Sequence, residues 1–291
     1  MPFPDFDPVL IQLGPIAIRW YALAYVAGIL LGWRYVAGLA RRESLWSLRG
    51  GPPASIEQID DLILWITLGI IVGGRLGHVL FYTPSIIWTD PVEILKTWHG
   101  GMSFHGGALG VLLAVVVFSR VKKLDLFRLG DMITAAAPLG LFFGRIANFI
   151  NGELWGRPTD VPWAIIFPGA GPEPRHPSQL YEAALEGVVL FLVLRWATHG
   201  AKLLNRRGVV AGIFVLGYAL IRISLENVRE PDAYLPAFPF GLTMGMMLSA
   251  PMFLGGIWLI WRGMREPLPA HPEALPDPAP KDARRQADEP A

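Results

Sequence analysis

Arg145 and Arg222 stand inside long apolar runs, where a charged side chain is costly in lipid and must face a protein-lined or wet cavity. Asn148 follows Arg145 by three residues, and Asn151 and Glu153 come next as the run ends in NGELWGRP. A guanidinium and an amide on one helical face suit an anionic, oxygen-rich head group; the same residues also read as a helix-capping network closed by Glu153 and Arg157. Arg222, Glu226 and Arg229 fall at i, i+4 and i+7, a single stripe in which the acid can orient both bases or hold an interhelical salt bridge. His105 lies between the glycine pairs of HGGMSFHGG (residues 99–107), and glycine pairs let backbone approach a ligand or another helix closely. At the mouth of an arginine-lined cavity His105 would be a general base; as a lone histidine it also reads as a structural residue. Arg75, His78 and Tyr82 share a helical face, and Glu182 and Glu186 form another that reads as partners for buried arginines.

The elements that position these residues follow from composition. Of 291 residues, 53% are hydrophobic and only 17% charged, with a mean hydropathy of +0.41, whereas soluble domains carry about a quarter charged residues. The expectation is an all-α integral membrane protein. Seven stretches approach the roughly 20 apolar residues that a spanning helix needs: 16–38, 59–82, 104–119, 130–150, 179–197, 209–228 and 241–261. Basic clusters (Arg41, Arg42 and Arg49; Arg120, Lys122, Lys123 and Arg128; Lys202, Arg206 and Arg207; Arg262 and Arg265) follow alternate spans. Loops of that kind stay cytoplasmic, so the N-terminus is expected outside and the C-terminus inside. Residues 1–14 lack the features of a cleaved signal peptide, which leaves the first span in place. The expected organisation is a membrane domain over residues 1–265 and a disordered, Pro/Ala-rich cytoplasmic tail over 266–291.

Other classes fall away on simple grounds. A net charge of +1 from 25 basic and 24 acidic residues offers no nucleic-acid footprint. The chain has no cysteine, so it brings no disulfide, thiolate metal site or cysteine nucleophile, and a thiol reacting here would come with the substrate. No internal repeat or pair of interrupted helices marks a transporter, although a route for an anionic solute or lipid is the main competing reading. The orientation places His105, Arg145, Asn148, Glu153, Arg222 and Arg229 all near the external face. The residues alone therefore describe an outward-facing, anion-friendly cavity fit for a phospholipid head group, and they do not name a reaction.

Motifs do. GGMSFHGG (100–107), GRIANFINGELWGR (144–157), HPSQLYE (176–182), FDPVLIQLGPIAIRWY (6–21), GGRLGHVLFY (73–82) and RISLENVREPD (222–232) together make the chain resemble the bacterial prolipoprotein diacylglyceryl transferases. It departs from that pattern at Ala147, where glycine is usual, and in a short segment between Phe167 and His176. The resemblance implies transfer of the diacylglyceryl group of phosphatidylglycerol to the lipobox cysteine of a prolipoprotein in the bacterial inner membrane, with the active site toward the periplasm. It implies His105 as base or orienting residue for the thiol, Arg145 as principal head-group ligand, and Arg222 as stabiliser of the leaving glycerol 1-phosphate. Asn148, Glu153 and Gly156 would shape the head-group site, with Glu153 an acceptor for glycerol hydroxyls. Tyr21 matches a position important in the family, Glu226 would orient Arg222, and Arg229 is a further head-group candidate. It implies no metal and no organic cofactor.

Overall fold

The computed structural model describes residues 1–4, 6–7, 9–14, 16–97, 100–230 and 242–269. Most of the expected tail, 270–291, lies outside them, as does His99. Helices coincide with all seven apolar stretches: α1 (Trp20–Ala40), α2 (Ile56–Tyr82), α4 (Phe104–Val121), α5 (Leu126–Thr134) with α6 (Ala137–Ile150), α7 (Ser178–Glu182) with α8 (Leu190–Arg195), α9 (Val209–Leu225) and α10 (Met244–Arg265). The short α3 (Ile86–Thr89) lies between α2 and α4. Among the described residues four helices, α1, α2, α4 and α10, are long and apolar enough to cross a membrane, and α5 with α6, bent by 40°, makes a fifth if the pair is one span. α9 is apolar but shorter. α7 and α8 belong to one run in which Ala183–Val189 and Trp196–Gly200 are π-helical.

The chain is not wholly α. Residues at the start of the first expected span instead form an antiparallel hairpin, β1 (Val9–Leu13) with β2 (Ile16–Arg19), so that α1 begins only at Trp20. The strands are rich in Val and Ile, and Gly14 turns between them at φ +58°, a conformation that glycine adopts without a Cβ penalty.

Helix starts are set by side chains. Ser55 and Gln58 form a capping box on α2, and Ser103, Asp125 and Thr243 accept first-turn N–H groups of α4, α5 and α10. α9 has no cap of its own; the fully buried Asp131 of α5 accepts from Gly208 N at 2.7 Å and Ala211 N at 2.8 Å, closing that helix end from a neighbour. Trp46, Phe118, Leu129, Met132, Leu194 and Leu204 are part of one buried apolar core. Large apolar side chains such as Leu30, Leu64, Leu112, Leu192 and Leu254 face outward, uncovered by protein, as expected where lipid is the solvent.

Close helix pairs rest on glycine. A Cβ on Gly69 would stand 2.6 Å from Gly110 O, and one on Gly77 would stand 2.7 Å from Gly106 Cα, so α2 and α4 touch backbone to backbone. Gly106, directly after His105, therefore serves helix contact. Gly77→Ala is expected to lower stability by about 1–3 kcal/mol through overpacking, seen as a lower thermal midpoint in detergent. Gly32→Ala, where a methyl meets nothing within 4 Å, is the matched control and should leave the midpoint in place or raise it slightly.

Candidate active site

Three helical elements converge on one carboxylate. Glu182, at the end of α7 and with no exposed surface, places Oε1 2.9 Å from Arg229 Nη1 and 3.5 Å from Arg222 Nη1, and Oε2 3.1 Å from Arg145 Nε. Arg145, on α6, also reaches Glu186 Oε2 through Nη2 at 3.3 Å, and Arg222, on α9, reaches Glu226 Oε1 at 2.6 Å. Glu186 lies in the π-helical segment that follows α7, and such segments often mark functional sites. Glu182 and Glu186 are thus partners for buried arginines.

The formal charges of these three arginines and three glutamates cancel, but they are not placed alike. The glutamate side chains keep 4% of their surface or less, while those of Arg145, Arg222 and Arg229 keep 14%, 15% and 11%. The acids sit behind, the guanidiniums in front, and the accessible side is cationic. Each guanidinium retains N–H groups that these carboxylates do not take. Arg222 Nη1 and Glu186 Oε1 are buried without a hydrogen-bond partner among the described residues, a feature suited to a site that a polar ligand completes.

At the end of α6, Asn148 Nδ2 donates to Glu153 Oε1 at 2.8 Å and Asn151 Nδ2 to the same oxygen at 3.4 Å. Capping is present as well, since Glu153 N donates to Asn148 O at 3.1 Å. Gly156 is where three backbone segments meet: its N–H donates to His176 O at 2.9 Å, it bridges Arg229, and a Cβ there would lie 2.5 Å from Val228 O. It brings Arg229 to the cluster by letting the loop after α6 close on the end of α9. That loop is tied to α7 by Ser178 Oγ donating to Leu154 O, and by a chain in which Trp163 Nε1 donates to Tyr181 Oη at 2.6 Å and Tyr181 Oη faces His176 Nδ1 at 3.2 Å. Burial lowers the His176 pKa from its ordinary value, which favours the neutral ring, whose unprotonated nitrogen can accept a hydrogen bond.

Not every sequence candidate joins the cluster. Tyr21, on α1, lies against Tyr25 with ring centroids 5.0 Å apart and planes tilted by 54°, and it accepts from Tyr25 Oη at 3.3 Å. Tyr25 in turn lies within electrostatic reach of Arg145 and Glu153, which puts the tyrosine pair beside the site. His105 is exposed in the first turn of α4 and makes no hydrogen bond or ion pair among the described residues; nothing there joins it to the arginines. Arg75 is structural: buried, it donates to Ile94 O at 3.0 Å, to Gly100 O at 2.5 Å and to Glu93 O, pinning the segment between α2 and α4. Sequence reasoning passed over Tyr25, Gln179 and Tyr218. The last stands one turn before Arg222, within reach of the charges of Arg145, Glu182 and Glu186. Extending the Arg222 stripe back by four, and the Glu182 face back by three, would have found Tyr218 and Gln179.

The sequence model of the prolipoprotein diacylglyceryl transferase family matches residues 8–262. The chain is 68% identical over 280 residues to a protein of Phenylobacterium zucineum (strain HLK1), covering 92% of this chain and 96% of that one. It is 56% identical over 299 residues to one of Caulobacter vibrioides (strain NA1000 / CB15N), covering 94% and 99%. Against one of Rhizobium meliloti (strain 1021) it is 54% identical over 263 residues, covering 90% and 94%. All three are named phosphatidylglycerol–prolipoprotein diacylglyceryl transferase. With the family model matching residues 8–262 and these relatives 54–68% identical over 90% or more of its length, the chain belongs to the prolipoprotein diacylglyceryl transferase family.

Proposed function

We propose that this chain transfers the diacylglyceryl group of phosphatidylglycerol to the lipobox cysteine thiol of a prolipoprotein. The observation that carries the reading is the meeting of Arg145, Arg222 and Arg229 on the buried Glu182, in a chain whose relatives bear the transferase name throughout. The cysteine Sγ attacks the glyceryl carbon that bears the phosphate, the C–O bond breaks, and its electron pair leaves with the ester oxygen of glycerol 1-phosphate. A thioether remains on the peptide. The thiol proton goes to a base, because thiolate is the reactive form.

Each named residue has a part in that step. Arg145 holds the phosphodiester, and Arg222 meets the charge that grows on the departing phosphate. Glu226 orients Arg222, and Arg229 adds a guanidinium to the head-group site. Asn148 and Glu153 line the head-group end, Gly156 sets the loop that closes it, and Tyr21 supplies a hydroxyl beside it. His105 takes or positions the thiol proton, its exposure on α4 leaving the imidazole accessible to an incoming peptide. We place all seven helical stretches across the bacterial inner membrane, N-terminus outside and C-terminus in the cytoplasm, with the site toward the periplasm. The catalytic unit spans residues 1–265 and the remainder is a cytoplasmic tail. Basic residues at alternate helix ends support this orientation.

The reading is tested by following glycerol phosphate released from phosphatidylglycerol by the purified protein with a lipobox peptide. His105→Gln is expected to cut kcat by about 100-fold, the lower end of general-base effects, with the thermal midpoint little changed because the exposed His105 makes no hydrogen bond or ion pair among the described residues. A full rate in that variant would remove His105 from the mechanism. Absence of peptide-dependent release from folded wild-type protein would reject the function.

A further inference from the structure

One fully buried polar side chain beside the cluster has no part in the steps above. Gln179 precedes Glu182 by three residues and Glu186 by seven, so the three share the face turned toward α6, and none has any exposed surface. Gln179 Nε2 donates to the main-chain oxygen of Glu153 at 2.5 Å. That bond fixes the amide, since exchanging its nitrogen and oxygen would set two acceptors against each other. The side-chain carbonyl Oε1 is therefore turned away from Glu153 O, and it has no hydrogen-bond partner among the described residues.

A buried acceptor left unpaired is costly, so the missing donor calls for an explanation. No donor among the described residues reaches Gln179 Oε1: Asn148 and Asn151 turn to the Glu153 carboxylate, and the guanidiniums of Arg145, Arg222 and Arg229, which keep spare N–H groups, turn to Glu182, Glu186 and Glu226. The three guanidiniums gathered one turn away disfavour an ammonium as the incoming donor. A neutral hydroxyl meets both conditions. We infer that Gln179 is a specificity-determining residue whose side-chain carbonyl accepts a hydrogen bond from a hydroxyl of the head-group glycerol. The site would then select a phosphodiester ending in a polyol over one ending in a plain alkyl group. The inference rests on the transferase reading and adds a residue and a selection rule to it.

The test compares dioleoyl phosphatidylglycerol with dioleoyl phosphatidylmethanol, which keeps the phosphodiester charge and lacks the hydroxyls, as donors to one lipobox peptide. Wild-type kcat/KM should favour phosphatidylglycerol by about tenfold, the scale of one hydrogen bond to a buried group. In Gln179→Met, which fills the same space without an acceptor of comparable strength, that ratio should fall several-fold toward one; loss of the bond to the main-chain oxygen of Glu153 acts on both lipids alike and leaves the ratio as the readout. A variant that loses both rates in equal proportion would make Gln179 a packing residue only and overturn the inference. So would a wild-type protein that uses both lipids equally, whatever the variant does. Transfer from neither lipid by folded wild-type protein would be the distinct failure of the transferase reading itself.

Discussion

Glu182→Gln is expected to reduce transfer by at least about a thousandfold, because groups that act as a unit fail together, and to lower stability by about 3–5 kcal/mol, the usual cost of removing one partner from a buried charge set. Glutamine keeps the size of the side chain, so the effect isolates charge. Arg222 and Arg229 both rely on Glu182 Oε1 and Arg145 on its Oε2, and the exchange leaves three guanidiniums facing two carboxylates. The set moves from neutral to a net positive charge inside the bundle, where such charges are weakly screened. Tryptophan fluorescence during thermal unfolding in detergent, alongside kcat, provides the measurement. Glu186→Gln is the comparison: Arg145 still holds Glu182, so both losses should be smaller. Equal activity in wild type and Glu182→Gln would refute the role assigned to this carboxylate.

Arg145→Ala should cost about 10²–10³ in kcat/KM, the range seen when one preorganised donor to developing charge is removed. Arg145→Lys should recover little of that loss. Arg145 reaches Glu182 through Nε and Glu186 through Nη2, and an ammonium is a single point charge that cannot take both carboxylates while still presenting donors to a phosphate. Kinetics on both variants decide it. Restoration by lysine to within a few fold of wild type would mean that Arg145 supplies charge without geometry.

The helices were legible because apolar length is read directly from composition, and a helix lies in each expected stretch, although among the described residues only four, or five with the bent pair α5 and α6, are long and apolar enough to cross a membrane. What periodicity could not give was backbone register: the bend between α5 and α6 and the π-helical turns after Glu182 depend on packing with neighbouring helices. The hairpin before Trp20 was missed because its Val and Ile residues satisfy an apolar count as readily as a strand pattern. Within the site, Arg145 and Arg222 were legible from their cost in lipid, Arg229 from its place at i+7 on the Arg222 stripe, and the pairing of arginines with Glu182 and Glu186 from spacing on a helix. Glu182 as the common centre was not, because three helices must meet before one carboxylate can serve three arginines. Gln179 and Tyr25 carry no charge, so the cost of burying charge gives no signal for them. Glycine spacing announced a close approach at GGMSFHGG without saying to what, and the answer was another helix.

The most direct measurement of the central claim is the mass of a lipobox peptide after incubation with the purified protein and phosphatidylglycerol, using the cysteine peptide and its serine counterpart. A gain of one diacylglyceryl group on the cysteine peptide alone, with release of glycerol phosphate in equal amount, is the predicted result. An unmodified cysteine peptide from demonstrably folded protein, or equal modification of the serine peptide, would contradict it.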